Sequence, residues 1–473
     1  MIIKHEELVI PKDKDSDPFL NCKLGRSKYA NILTSIVSTY SDGFVLAVNN
    51  KWGSGKTTFV KMWRQQLINS GFTTFYFNAW ENDFHENVLI ALLAELNLDK
   101  GKGEQLFKTV LTKALPLLKS AVPEIVKHTV ERKFGDSAAS LISGVGDYSV
   151  KELEKHLKDF NNKKKSIKEF RNKLEEYVKL VDDSKPVIFI IDELDRCRPN
   201  YSVEVLEQIK HLFSVKGIVF VLSIDKFQLG NAVKGFYGSE GIDSEEYLRR
   251  FIDIEYSIPE PDKNAFCNYL YDYFNFGAFF NSSNRQKNHD FNNDSKTFKT
   301  ISKILFSNRL VILRQIEKIY GHIAIVLKTF SIHENVFPIS LLFLVYCKLN
   351  HGFFYNKVVN LSFSLQELVD SMEEINPVSA SRENTRYQTF LMSNMLCLYA
   401  NNLKGNSVNG DLLSFQDIGG KAELNVTFND YNLHEQEITR SVEGFYNQFK
   451  YNDASMDTLI NKINLSDSFT IEL

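Results

Sequence analysis

A chain of 473 residues with 43% hydrophobic content is long enough to bury at least one large core, and its length suggests two to three domains. Its 56 Lys and Arg against 59 Asp and Glu leave a formal charge of -3, which excludes a global field drawing it to nucleic acid or an anionic membrane. Five scattered cysteines, Cys22, Cys197, Cys267, Cys347 and Cys397, include no Cys-x-x-Cys pair, which argues against zinc or redox chemistry and for a reducing, cytoplasmic setting.

The first residues lack the basic-then-apolar layout of a secretory signal, so the mature chain is expected to begin at Met1. Residues 44–48 form a continuous apolar run, followed by a Gly-rich turn and by residues 57–67, which suit a helix. Residues 73–77, rich in β-branched and aromatic side chains, predict a second strand, and residues 88–180 read as helical. Two more apolar strands, residues 187–191 and 218–222, flank an amphipathic helix carrying Val203, Leu206, Ile209, Leu212 and Phe213. Residues 251–258 predict a last strand, stopped by Pro259 and Pro261. Strands alternating with helices imply a parallel sheet covered on both faces. The Asn-rich stretch 275–294 predicts a surface loop. Residues 336–347, apolar but containing Pro338 and Ser340, are too few to span a membrane and predict a buried helix. Beyond residue 350 helical periodicity alternates with polar segments.

Trp52-Gly53-Ser54-Gly55-Lys56-Thr57 occupies the first strand–helix junction. A phosphate chain needs several donors converging on a small volume, and backbone N–H groups supply them only where side chains leave the turn uncrowded. Gly53 and Gly55 meet that need, and the following helix adds its positive end, with Ser54 and Thr58 alongside. Lys56 is expected at the β- and γ-oxygens, and the Thr57 hydroxyl in a Mg²⁺ shell. The motif departs from the strict G-x-x-x-x-G-K-[ST] form, having Asn50 at the first glycine. Asn tolerates left-handed backbone angles better than other non-Gly residues, so the turn is expected to survive. Trp52 is expected either beneath the loop or stacked near the nucleotide. These residues predict a site for ATP with Mg²⁺.

Asp192-Glu193 directly follows the apolar strand ending at Ile191. Parallel strands expose their carboxyl ends along one rim, so Asp192 is expected to meet the P-loop there and hold Mg²⁺ through water. Glu193 is then placed to polarise the attacking water. The cluster of Asp195, Arg196 and Arg198 fits contact with phosphate or a neighbouring subunit as well as it fits an ion-pair network bracing the turn. Ser223, ending the next strand, is a candidate sensor of the γ-phosphate, and Asp225 with Gln228 reads as an N-cap box. Lys163-Lys164-Lys165 is interleaved with Glu152, Asp159 and Glu169, which favours a solvated helix face over nucleic-acid binding. His85 and His211 lack companions at metal-ligand spacing.

Together these residues resemble the KAP family of P-loop NTPases, over roughly residues 20 to 360. Leu24-Gly25-Arg26 is similar to the family's N-terminal segment near the nucleotide, and Phe77-Asn78-Ala79-Trp80 to its aromatic-Asn-x-Trp signature. Ile190-Ile191-Asp192-Glu193-Leu194-Asp195-Arg196-Cys197-Arg198-Pro199 resembles its most distinctive motif. Tyr247-Leu248-Arg249-Arg250-Phe251 and Leu313-Arg314-Gln315-Ile316-Glu317-Lys318 resemble later blocks. The resemblance implies an additional-strand core related to AAA+ and STAND ATPases, with a further strand between the P-loop strand and the strand that ends at Asp192, the Walker B strand. It also implies Gly25 and Arg26 near the nucleotide, Arg249 or Arg250 as an arginine finger, and Arg314 as a sensor. Many members insert transmembrane helices between the two motifs. Here residues 106–130 are interrupted by Lys108, Lys113, Lys119 and Lys127, so no membrane span is expected. The link of bacterial relatives to phage exclusion extends the expectation, by analogy, to antiphage defence.

The expected architecture is therefore α/β, a P-loop NTPase of additional-strand type. Residues 1–42 form an N-terminal segment and first helix, and 43–260 the core, with a helical insertion at about 85–180. Residues 261–360 form a helical lid or sensor domain, and 361–473 a mainly helical C-terminal domain. The expected function is ATP binding and hydrolysis that switches a homo-oligomer's assembly or a protein effector. The alternatives are an ATP-bound scaffold without turnover and a nucleic-acid-stimulated ATPase, for which no reading module is recognisable.

Overall fold

The computed structural model describes residues 6–40, 42–84, 87–96, 104–118, 152–182, 184–239, 241–306, 311–375, 382–405, 412–415, 422–429, 433–449 and 455–465. The chain forms two compact units, Glu7–Glu260 and Pro261–Leu473, with Glu6 belonging to the second, where its N–H donates to the Tyr273 hydroxyl at 3.0 Å.

In the first unit the apolar runs build five parallel strands, β1 (Phe44–Asn49), β2 (Thr74–Asn78), β3 (Val187–Asp192), β4 (Ile218–Ile224) and β5 (Ile254–Ser257). Their order is β2-β3-β4-β1-β5, so β4 is the further strand between β1 and β3. β3 and β4 are buried at every residue, which explains why they read as unbroken apolar runs. Alternation then divides their side chains between two faces. Leu46, Val48, Ile188, Ile190, Val219 and Val221 pack against Leu33 of α1 (Ser27–Thr39) and Phe59 and Trp63 of α2 (Lys56–Asn69). Their neighbours Ala47, Phe189, Ile191, Phe220 and Leu222 face the opposite layer. That layer is built from α4 (Val88–Glu95), α5 (Glu104–Ala114), α6 (Glu152–Val181), α7 (Pro199–Gln208) and α8 (Lys226–Tyr237), α3 (Ala79–Asn82) being one turn after β2. The indole of the fully buried Trp63 is satisfied by the Thr34 hydroxyl at 3.0 Å.

The expected amphipathic helix ends as one π-turn, Ile209–Phe213, which keeps Ile209, Leu212 and Phe213 buried and leaves His211 exposed. The last strand is shorter than its apolar run suggests. Residues 244–249 form α9 (Ser244–Arg249), with Asp243 capping Glu246 N at 2.9 Å, and only Ile254–Ser257 pairs with β1.

The second unit runs from the helix Lys263–Tyr273 to the helix Met456–Ile463 around one core reaching from Cys267 to Ile463. Pro338–Asn350 is the expected buried helix, with ten consecutive buried residues from Pro338 to Cys347. A short antiparallel ribbon, Leu413–Phe415 with Ala422–Leu424, answers to no signal in the sequence. The Asn-rich stretch is not a surface loop. It contains the helices Phe276–Phe280 and Ser283–Gln286 and buries Arg285 completely. Arg285 pairs with Asp294 at 2.5 Å, donates to the carbonyls of Ile332 and Glu334 at 3.3 and 2.8 Å, and lies against the rings of Phe279 and Phe291. Its polar neighbours hide these aromatic anchors from a hydropathy reading.

Among the described residues no helix is long and apolar enough to cross a membrane; residues 119–130 and His85 lie outside them.

Gly43 leads into β1 with φ +89°, and a Cβ there would lie 2.5 Å from the Val215 carbonyl oxygen and 2.9 Å from that of Ile218. Gly43→Ala is expected to destabilise the first unit by ~2–4 kcal/mol, seen as an earlier urea midpoint. Gly444→Ala, in the exposed middle of the helix Glu435–Gln448 with open space around it, is expected to stabilise the second unit by ~0.5–1 kcal/mol in the same titration.

Candidate functional site

Residues 50–55 leave the carboxyl end of β1 and turn into α2. Gly53 and Gly55 adopt φ +74° and +82°, left-handed values that a side chain disfavours. Gly55 is the N-cap of α2 and carries no side chain to occupy its first turn, so those N–H groups stay open to an anion. Thr57, half-buried, and Thr58, exposed, stand in that turn. Arg26, 2% exposed, donates to the carbonyls of Ser54 at 2.7 Å and Gly55 at 3.1 Å. In a trans peptide the N–H points opposite to the C=O, so this grip turns the N–H groups of Gly55 and Lys56 away from Arg26. Burial lowers the pKa of Arg26. Gly25 precedes it at φ +62°.

Asn50 does not take the left-handed backbone expected of it. Its side chain makes up for the missing glycine. Oδ1 accepts from Lys51 N at 2.8 Å, while Nδ2 donates to the Ile258 carbonyl at 3.0 Å and pins the loop to the chain leaving β5. The Asn50 carbonyl accepts from Lys56 Nζ at 2.5 Å.

Across the sheet, Asn78, Asp192, Ser223 and Val48 lie in register on β2, β3, β4 and β1, with neighbouring strands about 4.8 Å apart. Asp192 is buried. Its Oδ2 accepts from the Tyr76 hydroxyl at 2.9 Å and its Oδ1 from Glu193 N at 3.0 Å. Glu193 has φ +61°, and its carboxylate pairs with Arg196 at 2.9 Å and accepts from Asn78 Nδ2 at 3.4 Å. Burial pushes the Glu193 carboxyl up, and the Arg196 charge opposes that shift. Among the described residues the buried hydroxyls of Ser223 and Ser54 have no hydrogen-bond partner.

Asp195 braces the loop. Its Oδ2 accepts from Trp52 Nε1 at 2.6 Å and from Asp225 N at 2.7 Å, and lies 3.9 Å from Lys56 Nζ. Burial raises the pKa of Asp195, with Lys56 pulling it down. Burial lowers that of Lys56, with Asp195, Asp225 and Asp192 supporting its charge. Asp225 does cap α8, accepting from Gln228 N at 3.3 Å, and its other oxygen accepts from Trp52 N at 3.1 Å. Trp52 is thus fixed at both its backbone and its indole. Arg198 pairs with Asp83 at 2.9 Å.

Arg249 is exposed and paired with Glu246 at 3.1 Å, and Arg250 is the exposed C-cap of α9. Arg314 is exposed in the first turn of the helix Leu313–Val326 of the second unit. Sequence reasoning gave Tyr76 no role. The period of two that sets residues 76 and 78 on one side of β2, the strand paired with the Asp192 strand, was the available signal.

Asp195→Ala removes the acceptor of two N–H donors and the counter-charge of a buried ammonium. The expected cost is ~3 kcal/mol in first-unit stability. A red shift of tryptophan emission, absent from a Trp52→Phe/Asp195→Ala chain, would report the loosened indole.

A sequence profile described as the KAP family P-loop domain matches residues 26–330. An uncharacterised protein of Methanocaldococcus jannaschii is 29% identical over 175 residues, which are 32% of this chain and 90% of that protein. The Aeropyrum pernix ORC2 protein, solved as ADPNP–ADP complexes, aligns with a TM-score of 0.30 and 14% identity over 93% of this chain and 97% of that one. A likeness so loose leaves strand order and the family match as the grounds for the fold. With more than half of its length matched and a P-loop at the head of α2, the chain belongs to the KAP family of P-loop NTPases, a nucleotide-binding family.

Proposed function

We propose that this chain binds ATP with Mg²⁺ at the P-loop, hydrolyses it, and uses the cycle to switch the assembly of a homo-oligomer or the activity of a protein effector. The observation that carries hydrolysis is a carboxylate, Glu193, one residue after the buried Asp192, whose register partner on β4 is Ser223. The donor set suits a nucleotide: two left-handed glycines, an open helix N-terminus, a buried ammonium and two buried hydroxyls without partners among the described residues.

In this reading Gly53, Ser54, Gly55, Lys56, Thr57 and Thr58 bind the phosphates. Asn50 and Trp52 shape the loop, and Arg26, following Gly25, keeps its carbonyls turned back. Thr57 and Asp192 would hold Mg²⁺, which when bound neutralises charge on the phosphate oxygens. Glu193 accepts a proton from the attacking water, Lys56 stabilises the charge that develops, and Ser223 hydrogen-bonds the terminal phosphate. Arg249 or Arg250 acts as a finger toward a neighbouring subunit, and both are exposed, as a group acting in trans must be. Arg314 keeps the sensor role that the family resemblance implies. Four buried thiols and a half-buried Cys22, all free, support a reducing cytoplasm. Antiphage defence rests on family analogy alone.

One observation favours the second reading, an ATP-bound scaffold without turnover: the Glu193 carboxylate is engaged by Arg196. Phosphate release separates the two. Lys56→Ala is expected to lose ATP binding, and Glu193→Gln to keep it while releasing phosphate at least about 100-fold more slowly than the native chain. Release by the native chain no greater than that of Lys56→Ala or Glu193→Gln would establish the scaffold. A finger in trans further predicts that turnover per chain rises with protein concentration, and that removing the acting arginine lowers it by about 10³-fold or more. A flat specific activity across a wide dilution series would remove that role from Arg249 and Arg250.

A further inference from the structure

Both oxygens of the Glu193 carboxylate are engaged by groups on the β2 side of β3 or by its own turn. Oε1 pairs with Arg196 Nη1 at 2.9 Å, and Oε2 accepts from Asn78 at the end of β2. β2 is an edge strand, separated from the P-loop strand by β3 and β4. Arg196 is itself held there. Its guanidinium lies 5.6 Å from the centre of the Trp80 ring, within cation–π range. Trp80 is 54% exposed, so it fills no core. Its position is set by Asn78, whose Oδ1 accepts from Trp80 N at 3.1 Å and Glu81 N at 3.2 Å. Asn78, Trp80 and Arg196 therefore form one continuous clamp at the carboxyl end of β2.

We propose that Arg196 is a positioning residue that parks the Glu193 carboxylate on the β2 side of the rim, and that withdrawal of its guanidinium from the Trp80 ring releases that carboxylate toward the P-loop. The inference rests on the reading of Glu193 as the base. A carboxylate drawn into a charge-assisted pair directs lone pairs at the guanidinium, and those lone pairs are unavailable to a water above β4. The clamp is solvent-accessible through Trp80, so it can be opened from outside without disturbing the core. Arg196 contacting the terminal phosphate itself would have the opposite kinetic sign, since its loss would slow turnover instead of raising it.

The test is steady-state phosphate release by the full chain with ATP and Mg²⁺, separating kcat from KM. Arg196→Ala is expected to raise kcat by about three- to tenfold with KM for ATP unchanged. A merely structural residue would lower kcat or raise KM. Arg196→Lys keeps the charge but loses the planar fork, so it retains the fold if alanine does not, and is expected to raise kcat by about twofold. Trp80→Leu is expected to act in the same direction as Arg196→Ala. Glu193→Gln is expected to be inactive alone and with Arg196→Ala. If Glu193→Gln is inactive while both Arg196 variants turn over at or below the native rate, the clamp is overturned and the base reading stands. If Glu193→Gln turns over like the native chain, the base reading fails and takes the clamp with it.

Discussion

The geometry of the P-loop hangs on one buried carboxylate. Asp195 gathers donors from segments far apart in sequence: the indole of Trp52 in the loop, the backbone N–H of Asp225 after β4 and, at longer range, the ammonium of Lys56 in α2. A buried charge persists only when hydrogen-bonded and paired, and here the partners that satisfy Asp195 are the parts that must be aligned. The 3.9 Å separation from Lys56 exceeds hydrogen-bond length, so the ammonium is neutralised in part without being captured. Its short contact is a neutral carbonyl, that of Asn50. A lysine held this way is not locked into the carboxylate, as its proposed role at a phosphate oxygen requires.

The loop is braced from its other side by a cation. Arg26 holds two loop carbonyls, and Gly55 leaves it the space to do so, because a Cβ there would come within 3.1 Å of Nη1. The glycine pattern thus has two causes at once. Left-handed φ shapes the turn at Gly53 and Gly55, and the missing side chain at Gly55 admits the arginine. Sheet order supplies the other half of the site. With β4 between β1 and β3, the loop and the acidic pair stand two strand spacings apart, about 10 Å, and Ser223 is in register with Asp192 on the strand between them.

Elements whose cause is local were legible in the sequence. β3 and β4 announce themselves because both of their faces are covered, and the turn before α2 because its glycines have no other use. What depended on distant contacts was not. Asn50 is explained by the Ile258 carbonyl, 208 residues away, and the Asn-rich stretch by a guanidinium that finds carbonyls near residue 333. The run 251–258 mixes two structures, since Phe251 is buried beside the end of α9 while Ile254–Ser257 pairs with β1. Apolar character records burial and does not say which backbone achieves it.

The acidic pair shows how a constraint at one residue can be read from its neighbour. Successive side chains of a strand point to opposite faces, so Asp192 and Glu193 cannot both serve the same rim while the chain stays extended. The backbone has to leave β geometry between them, and it does so at Glu193 with φ +61° and ψ +24°. A left-handed non-glycine residue costs on the order of 1 kcal/mol or more and persists only where its surroundings fix it. They do so here from three directions: Asp192 Oδ1 on the Glu193 N–H, Arg196 and Asn78 on its carboxylate, and the Arg196 N–H on its carbonyl at 3.1 Å. The strain and the pairing are one device, because the turn that carries Glu193 onto the rim also starts the short helix Leu194–Arg196, which returns Asp195 to the loop and Arg196 to Glu193.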